Sequence, residues 1–180
     1  MDPWDRTWRQ LQAGDPAGYE FLLQRLGRGV WAYLRRMTGR DDLADELLGR
    51  TWLRLVQTGQ RIKSPRSIRQ YVFAIARRQW LDELGHQRRD LLDRATDELA
   101  DQPHETAPTA ALEALARQED SRRLRQAIDD LPEALREVVV LRVYAELTFR
   151  QIAELLGLPL GTVLTRMRSA THRLAGELAE

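Results

Sequence analysis

Three features of this 180-residue sequence predict an all-α fold, two small helical bundles joined by a flexible linker, with a helix-turn-helix in the second. Apolar residues recur at helical spacing along most of the chain, and nowhere do they alternate as a half-buried strand requires. That periodicity lapses over 86–109, HQRRDLLDRATDELADQPHETAPT, where Pro103 and Pro108 interrupt it. The stretch 147–174, LTFRQIAELLGLPLGTVLTRMRSATHRL, encodes two short helices about a tight turn. The expected organisation is a first domain over 1–89, a linker over 90–119 and a second domain over 120–180.

Taken in order, a short helix near 4–13 ends at the Gly14-Asp15-Pro16 break. Over 17–38, Phe21, Leu22, Leu26, Val30, Tyr33, Leu34 and Met37 share one helical face, and Gly39 stops the helix. Leu43, Leu47, Leu48, Thr51, Trp52 and Leu55 form the next stripe, closed by Thr58 and Gly59. After the Ser64-Pro65 turn, Ile68, Tyr71, Val72, Ile75, Ala76, Gln79, Trp80 and Leu84 describe a long amphipathic helix. Stripes of this kind close a small bundle. Residues 86–109 read mostly as linker, with room for a helix over 90–100. Periodicity returns with Leu112, Leu115, Leu124 and Ile128, and again from Pro132 through Leu135, Val138, Val139, Leu141 and Arg142.

The final pair has a detailed local signature. Thr148 and Gln151 have capping-box spacing, Leu147 can staple to Ile152, Gly157 suits a left-handed turn, and Pro159 suits the opening of a new helix. Val163, Met167, Ala170 and Leu174 anchor the second helix from one side. Its other side presents Thr162, Thr165, Arg166, Ser169 and Arg173, residue types that meet base edges and phosphates. An ordinary helical hairpin with a solvated face is the plainer reading of the same pattern.

Composition narrows the function classes. Cysteine is absent, so disulfide, thiol and cysteine-metal chemistry are excluded. His86, His104 and His172 lack metal-ligand spacing, and no phosphate-binding glycine loop or catalytic constellation is present; no cofactor, no metal and no enzymatic activity are expected. The first residues, MDPWDRTWRQ, carry no signal-peptide pattern, and no apolar run spans a bilayer, so a cytoplasmic protein without membrane insertion is expected. No heptad repeat demands self-association, which favours a free monomer. Net charge is only +1, yet residues 1–92 hold 17 basic and 11 acidic side chains, whereas 93–119 hold 2 and 7. The basic excess concentrates over 61–92, a field that favours a polyanion.

Both halves resemble the extracytoplasmic-function (ECF) sigma factors of bacteria, σ70-class proteins that retain only domains 2 and 4. The resemblance is carried by GDPAGYEFLLQRLGRGVWAYLRRMTG at 14–39, DDLADELLGRTWLRL at 41–55, YVFAIARRQWLDEL at 71–84, LRQAIDDLPEALREVVVLR at 124–142 and TFRQIAELLGLPLGTVLTRMRSATHRL at 148–174, in that order. It implies core RNA polymerase and promoter DNA as partners, and leaves room for an anti-sigma factor. By similarity, Asp42, Asp45, Glu46 and Arg50 meet the polymerase clamp helices, with Trp52 at that interface or in the core. Lys63, Arg66, Arg69, Gln70, Arg77, Arg78, Gln79 and Trp80 fall in the region reading the −10 element; Trp80, like Tyr71 and Phe73, is ambiguous between base contact and core. Arg150 and Gln151 position −35 phosphates beneath a recognition helix bearing Thr162, Thr165, Arg166, Ser169 and Arg173. The acidic linker is implied to lie toward the RNA path.

Some positions depart from the family pattern. Asp45 stands where Gln is common, Arg78 where Asn is common, Gly85 and Leu164 where a basic residue is frequent, and Ser169 where Arg is frequent. These changes thin the cationic footprint on duplex DNA, which lowers affinity and salt dependence and prevents transfer of a promoter sequence. A stand-alone helix-turn-helix regulator with an amino-terminal sensory or partner-binding bundle is the alternative; it leaves the basic segment and the acidic helix without a joint purpose. A helical adaptor that binds no DNA is a second alternative.

Overall fold

The computed structural model describes residues 2–93 and 122–177, and all regular structure among them is helical. Helix α1, Pro3–Ala13, starts where the Asp2 carboxylate accepts from Trp4 N at 3.1 Å. It ends at Gly14, whose φ of 69° is the left-handed conformation that glycine adopts cheaply. Helix α2, Pro16–Thr38, repeats the device with Asp15 accepting from Ala17 N at 3.0 Å and Gly39 as its left-handed cap. Helix α3, Asp41–Thr58, leads into a single 3-10 turn at Gly59–Arg61, and a second at Pro65–Ser67 precedes α4, Ile68–Asp93.

Helix α4 continues beyond Leu84 into the segment read as linker. Gly85 is the one glycine over 85–93 and no proline stands there; Gln87, Arg88, Arg89, Leu91 and Leu92 favour a helix and outweigh the weaker His86, Asp90 and Asp93, so propensity carries it on. The expectations for residues 94–121, including Leu112 and Leu115, fall outside the described residues. A helix over 122–130, here α5, is followed by α6, Glu133–Val143, α7, Phe149–Leu156, and α8, Leu160–Glu177.

In the first bundle, α2 supplies Leu22, Leu26, Val30, Tyr33 and Leu34 to the core, α3 supplies Leu47 and Leu55, and α4 supplies Ile68, Val72 and Phe73. In the second, α6, α7 and α8 close on Val138, Leu141, Leu147, Ile152, Val163 and Ala170. The bundles do not stand apart. Helix α6 packs on α2 and α7 on α4, and the buried apolar residues of the two halves form one continuous core. Gly29 permits the contact: a Cβ there would lie 2.7 Å from the Tyr144 carbonyl oxygen. A missing side chain in the middle of α2 lets the two bundles meet.

Candidate nucleic-acid and polymerase interfaces

The helix-turn-helix is built from short-range chemistry. Thr148 Oγ1 accepts from Gln151 N at 3.2 Å, and Gln151 Oε1 accepts from Thr148 N at 2.9 Å, satisfying two amides that helix geometry leaves open. Leu147 and Ile152 are fully buried beside this cap, and Gly157, at φ 66°, turns the chain toward Pro159 and α8. Thr148→Ala should cost about 1 kcal/mol and lower the melting temperature by a few degrees, checked by thermal unfolding.

Val163 and Ala170 seat α8, with Met167 and Leu174 half-buried beside them. On its outer side Thr165, Ser169 and Arg173 are exposed, while Thr162 and Arg166 are partly covered. Thr165 donates its hydroxyl to Gly161 O at 2.9 Å, which leaves the oxygen free to accept. Arg150 is exposed at the start of α7. Gln151 is committed to the cap and also approaches the first bundle, donating to Arg66 O at 3.5 Å.

Helix α4 presents the residues expected at the −10 element on two different faces. The first opens on a groove of about 480 Å³ between α3 and α4, lined by Arg54, Thr58, Arg61, Tyr71, Arg78 and Gln79 among others. Tyr71 donates its hydroxyl to Thr58 O at 3.1 Å, fixing the ring. Arg78 is 80% exposed with Asp82 at 3.7 Å, and Lys63 and Arg66 stand exposed on the turn before α4. An aromatic wall among guanidinium groups suits an unpaired base and its backbone. Arg54 was missed by the sequence reading, and Arg61 entered it only as part of a basic run. Arg54 lies off the apolar stripe of α3 and is exposed, but nothing local in the sequence says that α4 runs alongside it.

The second face of α4 is covered by the helix-turn-helix bundle. Arg69 donates to Ala145 O at 3.3 Å and pairs with Glu146, whose carboxyl that guanidinium holds below the usual range. Gln70 donates to Glu154 Oε2 at 3.2 Å and to Gln151 O at 3.4 Å. Arg77 Nε lies 2.8 Å from Glu137 Oε1, and the same oxygen accepts from the Tyr33 hydroxyl at 3.1 Å. Glu137 is 6% exposed and Tyr33 fully buried. Burial, reinforced by the Glu137 charge, pushes the Tyr33 phenol well above its ordinary value of 10. It therefore stays a donor; its contribution is fully present below pH 10 and is lost as pH rises through the higher folded-state value. Trp80 is 4% exposed and packs in the core rather than facing either surface.

On α3 the four residues expected at the polymerase share its outer face, each already held. Asp42 pairs with Arg40, which keeps its carboxyl below the usual range. Asp45 accepts from Trp31 Nε1 at 2.7 Å, and Arg50 joins Glu46 to Glu83, the latter at 3.3 Å. Leu53 and Val56, 62% and 56% exposed, continue this face. Sequence periodicity did not single them out, because it marks the buried stripe and not the exposed one. Trp52 is half-buried against the core. Among the described residues, no cluster of carboxylates and histidines is arranged to hold a metal, and no helix is long and apolar enough to cross a membrane.

Comparison with known proteins agrees with this geometry. Residues 22–90 match sigma-70 region 2 and residues 121–171 match sigma-70 region 4. The chain is 29% identical over 184 residues to the ECF RNA polymerase sigma factor RpoE of Cereibacter sphaeroides, covering 96% of each. It is 30% identical over 149 residues to the Probable RNA polymerase sigma factor RfaY of Xanthomonas campestris pv. campestris, spanning 83% of this chain and 36% of that one. Its fold is shared with the sigma factor RpoE of Bartonella quintana, solved with the anti-sigma factor NepR, at a TM-score of 0.73 and 17% identity over 89% of this chain and 96% of that one. It is shared as well with CnrH, solved with the cytosolic domain of CnrY, at a TM-score of 0.66 and 20% identity over 98% and 97%. With region 2 on α2 to α4 and region 4 on the bundle that holds the helix-turn-helix, the chain belongs to the sigma-70 family and is a promoter-recognition sigma factor of the ECF type.

Proposed function

We propose that this chain grips a promoter at two points on behalf of core RNA polymerase, in the cytoplasm, with 1–89 and 120–180 as its working domains. The observation that carries the reading is the separation of two DNA-suited surfaces on one small scaffold. Arg150, Thr162, Thr165, Arg166, Ser169 and Arg173 form a convex helical face sized for the major groove of the −35 duplex. Arg54, Arg61, Tyr71, Arg78 and Gln79 line a groove suited to an opened −10 strand. The outer face of α3, through Asp42, Asp45, Glu46, Arg50, Leu53 and Val56, combines charge with exposed apolar surface and docks on the polymerase.

In the compact chain, Arg69, Gln70 and Arg77 are engaged by the second bundle. Reading of the −10 element through them requires the bundles to part, and polymerase binding supplies that energy by favouring the open form. The NepR complex of the Bartonella quintana relative suggests an antagonist for this chain too. A groove of about 670 Å³ at the α2 junction, floored by Leu23, Trp31, Leu48 and Tyr144 and rimmed by Arg28 and Arg35, suits an acidic, amphipathic segment.

The two surfaces make separable predictions for the polymerase-bound protein. Arg166→Ala should weaken binding to the preferred −35 duplex by about 1–3 kcal/mol and relax preference at one base pair. Arg173→Ala should weaken binding uniformly and reduce the salt slope by about one. Competition binding across −35 variants at several salt concentrations checks both, and equal losses on every sequence from Arg166→Ala would overturn its role in base reading.

A further inference from the structure

The turn between α3 and α4 carries Arg61, Lys63 and Arg66 outward, yet has only two 3-10 turns of its own. Ile62 pins its centre: the side chain is 2% exposed, between an exposed Arg61 and an exposed Lys63. What holds the backbone at that pin is α1. Trp8 Nε1 donates to Ile62 O at 2.9 Å, and Gln12 Nε2 donates to the same oxygen at 3.1 Å. A carbonyl has two acceptor directions, so both bonds can form, and together they fix the peptide plane between Ile62 and Lys63. One helical turn earlier, the Trp4 ring lies 5.3 Å from the guanidinium carbon of Arg69 at the start of α4. Helix α1 thus touches the turn at its middle and just past its end.

A strut must itself be rigid. Leu11 and Thr7 of α1 are buried, and Gly18 of α2 lets the helices meet backbone to backbone; a Cβ there would sit 2.9 Å from Gln10 Cβ and 3.2 Å from Leu11 N. Trp4 adds an edge-to-face contact with Phe21, 5.7 Å between ring centroids. Helix α1 lies outside the residues that match sigma-70 region 2, 22–90.

We infer that α1 is a positioning element for −10 selectivity, with Trp8 and Gln12 as the positioning residues that set where Arg61 and Lys63 stand. Neither touches DNA. The inference rests on the proposed reading of the −10 element by this turn. Precision there matters because a mismatched base pair changes binding by about 1–3 kcal/mol, and a loose turn averages over several registers.

The test uses full-length protein with core polymerase on promoters bearing single −10 or −35 substitutions. It compares wild type with Gln12→Met, the Trp8→Phe/Gln12→Met pair, and Lys63→Ala. The pair is expected to lose discrimination at −10 by about fivefold or more while −35 discrimination and polymerase affinity hold. Amide exchange at Ile62 and Ser67, which bond within the turn to Gly59 O and Ser64 O, should speed up without change in α8. Gln12 is exposed, so Gln12→Met retains the fold and gives the same exchange signature even if the pair is unstable. Unchanged exchange, or unchanged −10 discrimination in the folded pair while Lys63→Ala loses it, would overturn the role of α1. If Lys63→Ala also leaves −10 discrimination intact, the reading of the turn as a −10 contact fails, and this inference with it.

Discussion

A chain carrying Asp45→Lys and Glu46→Lys is expected to bind core RNA polymerase at least about a hundredfold more weakly while remaining folded, because like charges across an interface cost several kcal/mol. Both carboxylates are exposed on α3, so the exchange reverses the local field without disturbing the core. Its folding cost comes from the Trp31 to Asp45 hydrogen bond and the Glu46 to Arg50 pair. Exposed interactions of this kind contribute about 1 kcal/mol or less each. Polymerase titration alongside thermal unfolding separates the two effects. Unchanged affinity in a folded double variant would move the polymerase contact off α3.

Removing Glu137 should open the molecule. The carboxylate joins Tyr33 of α2 and Arg77 of α4 to α6, with the glutamate side chain 8% and the arginine side chain 25% exposed. Deleting one member of a buried pair typically costs 3–5 kcal/mol; because Arg77 retains access to water, about 2 kcal/mol is the better expectation here. Glu137→Ala should therefore raise the ratio of open to closed chains by about thirtyfold. Gly29→Ala reaches the same end by another route. It places a methyl group 2.7 Å from the Tyr144 carbonyl oxygen, while the substitution favours α2 itself. The natural chain has no cysteine, so spin labels at Gln24→Cys and Ala175→Cys report the separation cleanly. Longer distances in both variants, with higher apparent polymerase affinity, are expected, since affinity scales with the competent fraction. Wild-type distances in both would show that neither contact holds the bundles together.

The legible parts of the protein were those encoded over a few residues. Thr148, Gln151, Gly157 and Pro159 specify the helix-turn-helix through contacts three or four positions apart, and Asp15-Pro16 with Gly39 bounds α2 in the same way. What periodicity could not supply was which neighbour covers each exposed helical face. Arg69, Gln70, Arg77, Arg78 and Gln79 form one basic-polar series in the sequence, yet rotation about α4 sends Arg78 and Gln79 to the open groove and the others against the second bundle. Glu137 reads as an ordinary solvated helix residue; its burial follows from Tyr33 and Arg77, 104 and 60 positions away. Trp8 and Gln12 likewise acquire a role only once the turn at Ile62 folds back on α1.

If one chain directs polymerase through two coupled DNA contacts, initiation must depend on both. Reconstituted transcription from a promoter library with cognate core polymerase tests it most directly. The structure predicts chain-dependent initiation from promoters that share a −35 and a −10 motif at fixed spacing, with Arg166→Ala relaxing the first motif and Arg78→Ala degrading the second. Initiation that depends on only one motif, or a chain that binds duplex DNA alone and never engages the polymerase, would contradict it.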